Sequence, residues 1–132
     1  MTRAELGDRA ERLVCSHFDG ELALRGQRGY DLVADGIGRV QVKARSRGSR
    51  HLNWFHVRNV HLREFDYLVL VEFEGDGRTV AGAWGMPWAD VLVHSHSTIK
   101  DARGDLTKLA VRGEWKQRVE RIPLNHEESA RP

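Results

Sequence analysis

Residues 29–43 read Gly29-Tyr30-Asp31-Leu32-Val33-Ala34-Asp35-Gly36-Ile37-Gly38-Arg39-Val40-Gln41-Val42-Lys43. Apolar and polar residues alternate on both sides of a glycine-containing centre, which is typical of two β-strands joined by a tight turn. We predict strands over 30–34 and 39–45. The first strand then carries Asp31, and the second carries Gln41 and Lys43. This hairpin is expected to anchor a sheet with a polar group on one face.

The register of the hairpin decides whether these polar side chains meet. Asp31 shares a face with Lys43 if residue 34 pairs with residue 38, which leaves a three-residue loop at 35–37, or if a β-bulge restores the parity. A register shifted by one residue would turn Asp31 to the face away from Lys43. Loops of three residues commonly need glycine in a left-handed conformation, and glycines are available here. We therefore predict the pairing of residue 34 with residue 38.

The remaining pattern predicts an α/β (α+β) fold with a mixed central sheet flanked by helices. Thr2 and Glu5 resemble a capping box at the start of the first helix. The nearly continuous apolar run at 65–73 indicates a central strand that is buried on both faces. Other expected elements are helices at 4–18, 88–94 and 115–121, and strands at 21–25, 53–57, 79–84 and 108–111. We expect one domain over 1–124 and a flexible tail over 125–132.

Composition restricts the class of protein. A chain of 132 residues with 40% apolar and 30% charged residues fits a globular domain with one core. No apolar run approaches the length of a membrane span, and the first residues lack a signal-peptide core, so we expect a cytoplasmic protein. Cys15 is the only cysteine, which excludes an internal disulfide.

Basic residues are concentrated in one stretch. Residues 36–63 contain seven Lys or Arg and no Asp or Glu. Such a block can neutralise a nucleic-acid backbone, although a solvated basic surface would have the same composition. Trp54 can stack on bases or pack in the core. The expected nucleic-acid contacts are Arg39, Arg45, Arg47, Arg50, His51 and Trp54.

Oxygen donors near a lysine suggest metal-assisted phosphate chemistry. Mg²⁺ prefers oxygen ligands and keeps several waters. We expect Asp31, the amide oxygen of Gln41 and the backbone carbonyl of Val42 to be its ligands. Lys43 would orient the attacking water or stabilise developing negative charge. Glu11, on the first helix, borders the apolar stripe and is the expected further carboxylate; Glu5 and Asp8 are the alternatives.

Glu11, Asp31 and Gln41-Val42-Lys43 together resemble the signature of the PD-(D/E)XK nuclease superfamily. That superfamily includes Holliday-junction resolvases, restriction enzymes and some homing endonucleases. The resemblance extends over residues 4–84. It implies an αβββαβ core and Mg²⁺-dependent DNA cleavage, with Mn²⁺ as a possible substitute, and Glu11 holding the metal through water. Two residues depart from the pattern, because Tyr30 replaces a proline and Gln41 replaces an acidic residue.

The sequence therefore predicts a divalent-metal-dependent DNA endonuclease with Glu11, Asp31, Gln41 and Lys43 as its catalytic residues. Cutting both strands of a duplex calls for two sites, so we expect a homodimer. The competing hypothesis is a catalytically inactive module that keeps the fold and binds DNA or another protein. Gln41 would then indicate the loss of catalysis, since an amide is a weaker Mg²⁺ ligand than a carboxylate.

Overall fold

The computed structural model describes residues 2–24, 26–27, 29–47, 54–55, 57, 60–94, 109–110 and 120–124. Within these ranges the fold is mixed α/β, as predicted. The helices are α1 (Arg3–Phe18) and α2 (Trp88–His94), with a 3₁₀ turn at Val60–Leu62. The strands are β1 (Glu21–Leu22), β2 (Leu32–Ala34), β3 (Gly38–Ser46), β4 (Trp54–Phe55), β5 (Tyr67–Phe73), β6 (Val80–Pro87), β7 (Leu109–Ala110) and β8 (Glu120–Arg121). The main sheet has the order β1-β2-β3-β5-β6-β8, and β4 pairs with β7 separately.

Helix α1 begins and ends where its local sequence dictates. The predicted capping box is present, since the Thr2 side chain accepts a hydrogen bond from the Glu5 N–H and the Glu5 carboxylate accepts one from the Thr2 N–H. At the other end, Asp19 adopts a left-handed conformation with φ of 53°. The stripe that α1 buries consists of Leu6, Ala10, Leu13 and Val14. This stripe lies against one face of the sheet, where it meets the valines of β3 and β5.

The β2–β3 hairpin has the predicted register. Ala34 pairs with Gly38, so the loop contains three residues, and Gly36 and Gly38 have φ of 76° and 102°. Pairing with β2 stops at Val40, whereas β3 continues to Ser46. The two strands therefore separate beyond Val40. We call this place the fork.

Strand β5 is the buried centre of the sheet. It runs parallel to β3 and antiparallel to β6, and every residue from Leu68 to Phe73 is buried. Alternate residues pack on the two faces: Val69 and Val71 beneath α1, Leu68 and Leu70 in a second cluster on the other side. The expected central strand is thus confirmed.

Several expected elements differ from the structure. Residues 120–121 form strand β8 and not the end of a helix, because they pair with β6. Residues 115–119 and the expected tail at 125–132 lie outside the described residues. In the described part of the crossover from β3 to β5, the helical element is the 3₁₀ turn at Val60–Leu62, not the α-helix of an αβββαβ core. No described helix is long and apolar enough to cross a membrane.

Gly38→Ala is expected to destabilise the protein by about 2 kcal/mol. Its φ is left-handed, and an added Cβ would lie 2.6 Å from Oδ2 of Asp66, the atom that accepts the Arg39 N–H. Gly36→Ala is the matched control, since its φ is also positive but a Cβ there meets nothing within 4 Å. We expect that control to lose about 1 kcal/mol. Urea denaturation measures both variants, and equal losses would contradict the role of the Asp66 contact.

Candidate active site

Asp31 is fixed at the fork by two backbone contacts to β3. Its N–H donates to the carbonyl of Val40 at 2.8 Å. Its Oδ2 accepts the N–H of Val42 at 2.7 Å. The Asp31 carboxylate thus accepts the Val42 N–H. A backbone carbonyl would accept this N–H if β2 stayed paired with β3 beyond Val40. A charge-assisted bond of this kind orients the side chain strongly.

The carbonyl of Val42 also points toward the fork. In a β-strand, the N–H and C=O of one residue lie on the same edge. Since the Val42 N–H reaches Asp31, its carbonyl faces the same open edge, beyond the last residue paired with β2. A backbone oxygen and a carboxylate therefore converge at this position.

Glu11 reaches the same place from helix α1. The Glu11 carboxyl lies close enough to the Asp31 side chain to interact with it, although the two residues come from different elements. Partial burial, the hydrogen bond to Asp31 and the charges of Asp31 and Asp8 raise the pKa of Glu11 to about 8, while the nearby charge of Lys43 opposes the shift. Two carboxyls in such contact share a proton, and a cation can replace that proton.

The structure therefore brings together Glu11, Asp31 and Lys43, three of the four predicted catalytic residues. The fourth, Gln41, is on β3, and its Oε1 is buried without a hydrogen-bond partner among the described residues. A buried amide oxygen without a partner is costly unless a further group binds it. Within the described ranges, no three His, Cys, Asp or Glu side chains converge as a metal cluster.

The two alternative carboxylates on α1 have other contacts. Glu5 belongs to the capping box, and this hydrogen bonding lowers its pKa. Asp8 is exposed and forms an ion pair with Arg12 at 3.3 Å. Asp8 nevertheless lies close enough to raise the pKa of Glu11. Glu11 is thus the helix residue that contacts the fork directly.

Three of the arginines predicted to contact phosphate are paired with carboxylates. Arg39 bonds Asp66, with its Nε 3.1 Å from Oδ2. Arg45 bonds the buried Glu72, with its Nε 3.1 Å from Oε2, and its guanidinium lies over the ring of Phe55. These ion pairs offset the charges of Arg39 and Arg45, and the expected contacts of both arginines with nucleic acid stay a prediction.

The third of these arginines, Arg47, bonds both Glu72 and Glu74. Its side chain is 54% exposed, so it still faces solvent while its charge is offset. Arg50 and His51 lie outside the described residues. The backbone of Trp54 forms part of β4, but its side chain is not described, so its expected base contact stays a prediction.

Sequence reasoning missed Glu72 as the partner of this basic stretch. Its side chain is 4% exposed, and it is the only charged residue among the buried ones of the described chain. A signal was present in the sequence, because a single glutamate interrupts the apolar run Tyr67–Phe73. A carboxylate in a central strand needs a cation beside it. The parallel register places Arg45 opposite Glu72.

The metal-free protein is expected to lose stability as pH rises from about 5 to about 8. The pKa of Glu11 is raised, so the folded state retains a proton that the unfolded state has lost. The contribution of Glu11 to the free energy of unfolding is complete below its unfolded pKa of 4.5. This contribution disappears as pH rises through about 8. The loss of one proton can lower the free energy of unfolding by roughly 1.4 kcal/mol per pH unit. We expect a smaller decrease, because the Glu11 carboxyl is partly accessible to solvent.

Thermal unfolding in EDTA at several pH values tests this, with Glu11→Gln as the variant and Asp35→Asn, in the exposed hairpin loop, as the control. The difference in melting temperature between Glu11→Gln and wild type should increase in favour of the variant as pH rises. Asp35→Asn should follow wild type. A constant difference for Glu11→Gln would contradict the shared proton.

Comparison with known proteins does not assign this chain to a family. No family model matches it, and no curated protein matches it. The functional argument therefore rests on the residues at the fork: a carboxyl pair from two elements, a lysine beside it, and two uncharged oxygens on β3.

Proposed function

We propose that this protein is a divalent-metal-dependent endodeoxyribonuclease whose active site is the fork between β2 and β3. The observation that carries the proposal is the Asp31 carboxylate held at the fork by the Val42 N–H at 2.7 Å, with the Glu11 carboxyl of α1 close enough to Asp31 and Lys43 for both to affect its pKa. Two carboxylates forced together beside a lysine suit a site that handles both a cation and an anionic group.

The donor set at the fork fits a divalent cation. Asp31 would supply one carboxylate oxygen and the Val42 carbonyl another ligand, with Glu11 directly or through water. The buried Oε1 of Gln41 has no partner among the described residues, which is what a ligand oxygen requires before binding. When bound there, Mg²⁺ or Mn²⁺ would supply a Lewis acid that lowers the pKa of water and stabilises charge on a phosphate.

The remaining roles belong to the protein. The Val42 N–H holds the Asp31 carboxylate in one orientation, so the ligand is in place before substrate binds. The positive charge of Lys43 acts on the Glu11 carboxyl. Its ammonium can orient a water for attack or stabilise the charge that develops on the phosphate oxygens.

DNA as the substrate follows from the resemblance and from the basic stretch at 36–63. Within that stretch, Arg39, Arg45 and Arg47 are paired with carboxylates. The phosphate contacts are therefore expected from Lys43 and from residues of this stretch outside the described ranges, such as Arg50 and His51.

A cleavage panel tests the proposal. Supercoiled plasmid, a four-way junction and single-stranded DNA are incubated with the protein and Mg²⁺, Mn²⁺ or EDTA. We expect a substrate to be cut with either metal and none with EDTA. No cleavage of any of the three DNAs with either metal, at protein in excess over DNA, would contradict the proposal.

The neutral amide of Gln41 favours a second candidate, an inactive module that binds DNA or protein. With two carboxylates and an amide, the fork has fewer charged ligands than a site built on three acidic residues. In this case the protein would retain its fold and bind DNA in a gel-shift assay without cutting it. Gln41→Glu discriminates further, because an added carboxylate should create or increase cleavage if only the ligand charge is lacking.

A further inference from the structure

The 3₁₀ turn at Val60–Leu62 presents an apolar side chain between two basic ones. Val60 is fully buried, whereas His61, Leu62 and Arg63 are exposed, with Leu62 at 50%. A single exposed leucine is ordinary on a protein surface. Three features set this leucine apart: its turn is held in place, it has basic neighbours on both sides, and it lies near the fork.

Hydrogen bonds hold the turn both from within and from the sheet. The Arg63 N–H donates to the Val60 carbonyl at 3.1 Å, and Nε1 of Trp88 donates to the same carbonyl at 2.6 Å. Nη2 of Arg39, on β3, donates to the Arg63 carbonyl at 3.1 Å. Leu62 is therefore kept in one position before a ligand binds, which lowers the entropy that binding would otherwise cost.

Arg63 adopts a backbone conformation that glycine would adopt more easily. Its φ is 49°, in the left-handed region. Strained residues of this kind cluster at functional sites. The central carbon of its guanidinium lies 4.9 Å from the centroid of the Trp88 ring. A guanidinium held over a ring in this way keeps its N–H donors available for a phosphate.

The turn lies on the same face of the sheet as Lys43. Arg39 and Lys43 are four residues apart on β3, so alternation places their side chains on one face. On that face Arg39 donates to both the Arg63 carbonyl and the Asp66 carboxylate. Asp66 offsets the charge of Arg39, whereas the Arg63 side chain is exposed. A ligand that covers Lys43 can therefore extend to the turn.

The turn is also close to Asp31 by a second path. Gly29 packs against the half-buried Glu64 so tightly that an added Cβ would lie 2.2 Å from the Glu64 Cβ. Leu62 is two residues from Glu64, and Asp31 is two residues from Gly29. At about 3.8 Å per residue, the Cα atoms of Leu62 and Asp31 lie within about 20 Å of each other. This distance is about six base steps of a duplex, so one bound DNA can contact both.

We propose that Leu62 is a wedge that inserts between neighbouring bases of DNA bound at the fork, with Arg63 on a phosphate beside it. Apolar side chains that enter a base step partly unstack it and kink the duplex. The basic neighbours supply the attraction to the backbone that brings the leucine to the bases. Unstacking costs less where base pairing is already disturbed, so DNA with a mismatch should bind more tightly than a perfect duplex. The wedge rests on the proposed function only for the binding of DNA at the fork, and does not require that DNA to be cut.

The fluorescence of 2-aminopurine tests the wedge, because this base is quenched within the stack and brightens when a neighbour leaves it. Duplexes that carry it at successive positions around one mismatch are titrated with protein in Ca²⁺, and anisotropy gives the affinity. We expect bound wild type to raise the fluorescence at one or more positions. Leu62→Ala should lose most of this rise and less than about tenfold in affinity, whereas Leu62→Phe should retain the rise. Leu24→Ala, at an exposed leucine beside β1, should match wild type.

Arg63→Gly tests the basic part of the turn separately. Glycine suits the left-handed φ, so this variant should stay folded, and circular dichroism checks the folding of every variant. The slope of log affinity against log salt concentration should decrease by about 1, because one phosphate contact is lost. An unchanged slope would contradict the phosphate contact.

The outcomes separate the wedge from the nuclease. Bound DNA whose fluorescence does not change at any position, or a rise that persists in Leu62→Ala, would overturn the wedge even if plasmid is cut. A rise that depends on Leu62, without cleavage in any metal, would support the wedge and contradict the nuclease. Failure to bind any of these DNAs would contradict both.

Discussion

Lys43→Ala is expected to abolish metal-dependent DNA cleavage while DNA binding changes by less than about tenfold. The charge of its ammonium acts on the Glu11 carboxyl at the fork. Removing a preorganised charge that acts where negative charge develops costs on the order of 10²–10³ in rate. Its role in ground-state binding is one phosphate contact among several, so the loss in affinity should be small. Single-turnover cleavage and a gel-shift assay at equal salt measure the two effects.

Asp31→Asn should reduce cleavage to a similar extent for a different reason. Asparagine retains an oxygen that can accept the Val42 N–H, so the hairpin should stay folded. The loss of negative charge removes the main ligand for the cation.

Arg78→Ala is the control for Lys43→Ala, since it deletes one exposed positive charge in the loop between β5 and β6. The account fails here if Arg78→Ala and Lys43→Ala lose equal activity.

The second large effect concerns stability. Glu72→Leu is expected to destabilise the protein by about 3 kcal/mol and to lower its melting temperature by about 10 °C. The Glu72 side chain is 4% exposed and that of Arg45 is 12% exposed. Removing the carboxylate leaves the Arg45 charge buried without its partner. Thermal and urea unfolding measure the loss.

A double variant separates charge from packing. Arg45→Met with Glu72→Leu replaces the buried pair by apolar side chains and should regain most of the lost stability. Glu74→Gln is the control, because it removes the exposed partner of Arg47 and should cost less than about 1 kcal/mol. A double variant as unstable as Glu72→Leu would show that packing, and not an unpaired charge, causes the loss.

The sequence was sufficient for the part of the fold that is locally determined. The register of the β2–β3 hairpin follows from parity and from glycines in the loop, and the structure has that register. The ends of α1 follow from the Thr2–Glu5 box and the left-handed Asp19. Strand β8 was not predicted, because two residues are too few to show an alternation of apolar and polar side chains. Its position depends on pairing with β6.

The candidate site was predictable where the residues share one hairpin, and less so elsewhere. Asp31, Gln41 and Lys43 follow from alternation, whereas the contact of Glu11 depends on how α1 crosses the sheet. The carboxylate partners of the basic stretch were not predicted, because charges were considered along the chain. Arg45 and Glu72 are 27 residues apart, and only the parallel pairing of β3 with β5 makes them neighbours. Cross-strand pairing decides which arginines remain available for phosphate.

The central claim is that Glu11 and Asp31 hold one divalent cation at the fork. Titration of Mn²⁺ into the protein, with free Mn²⁺ followed by electron paramagnetic resonance, tests it most directly. We expect one ion bound per chain, at least tenfold weaker binding in Asp31→Asn and in Glu11→Gln, and unchanged binding in Asp35→Asn. Wild type that binds no Mn²⁺ at millimolar concentration, or that binds it as tightly after Asp31→Asn, would contradict the account.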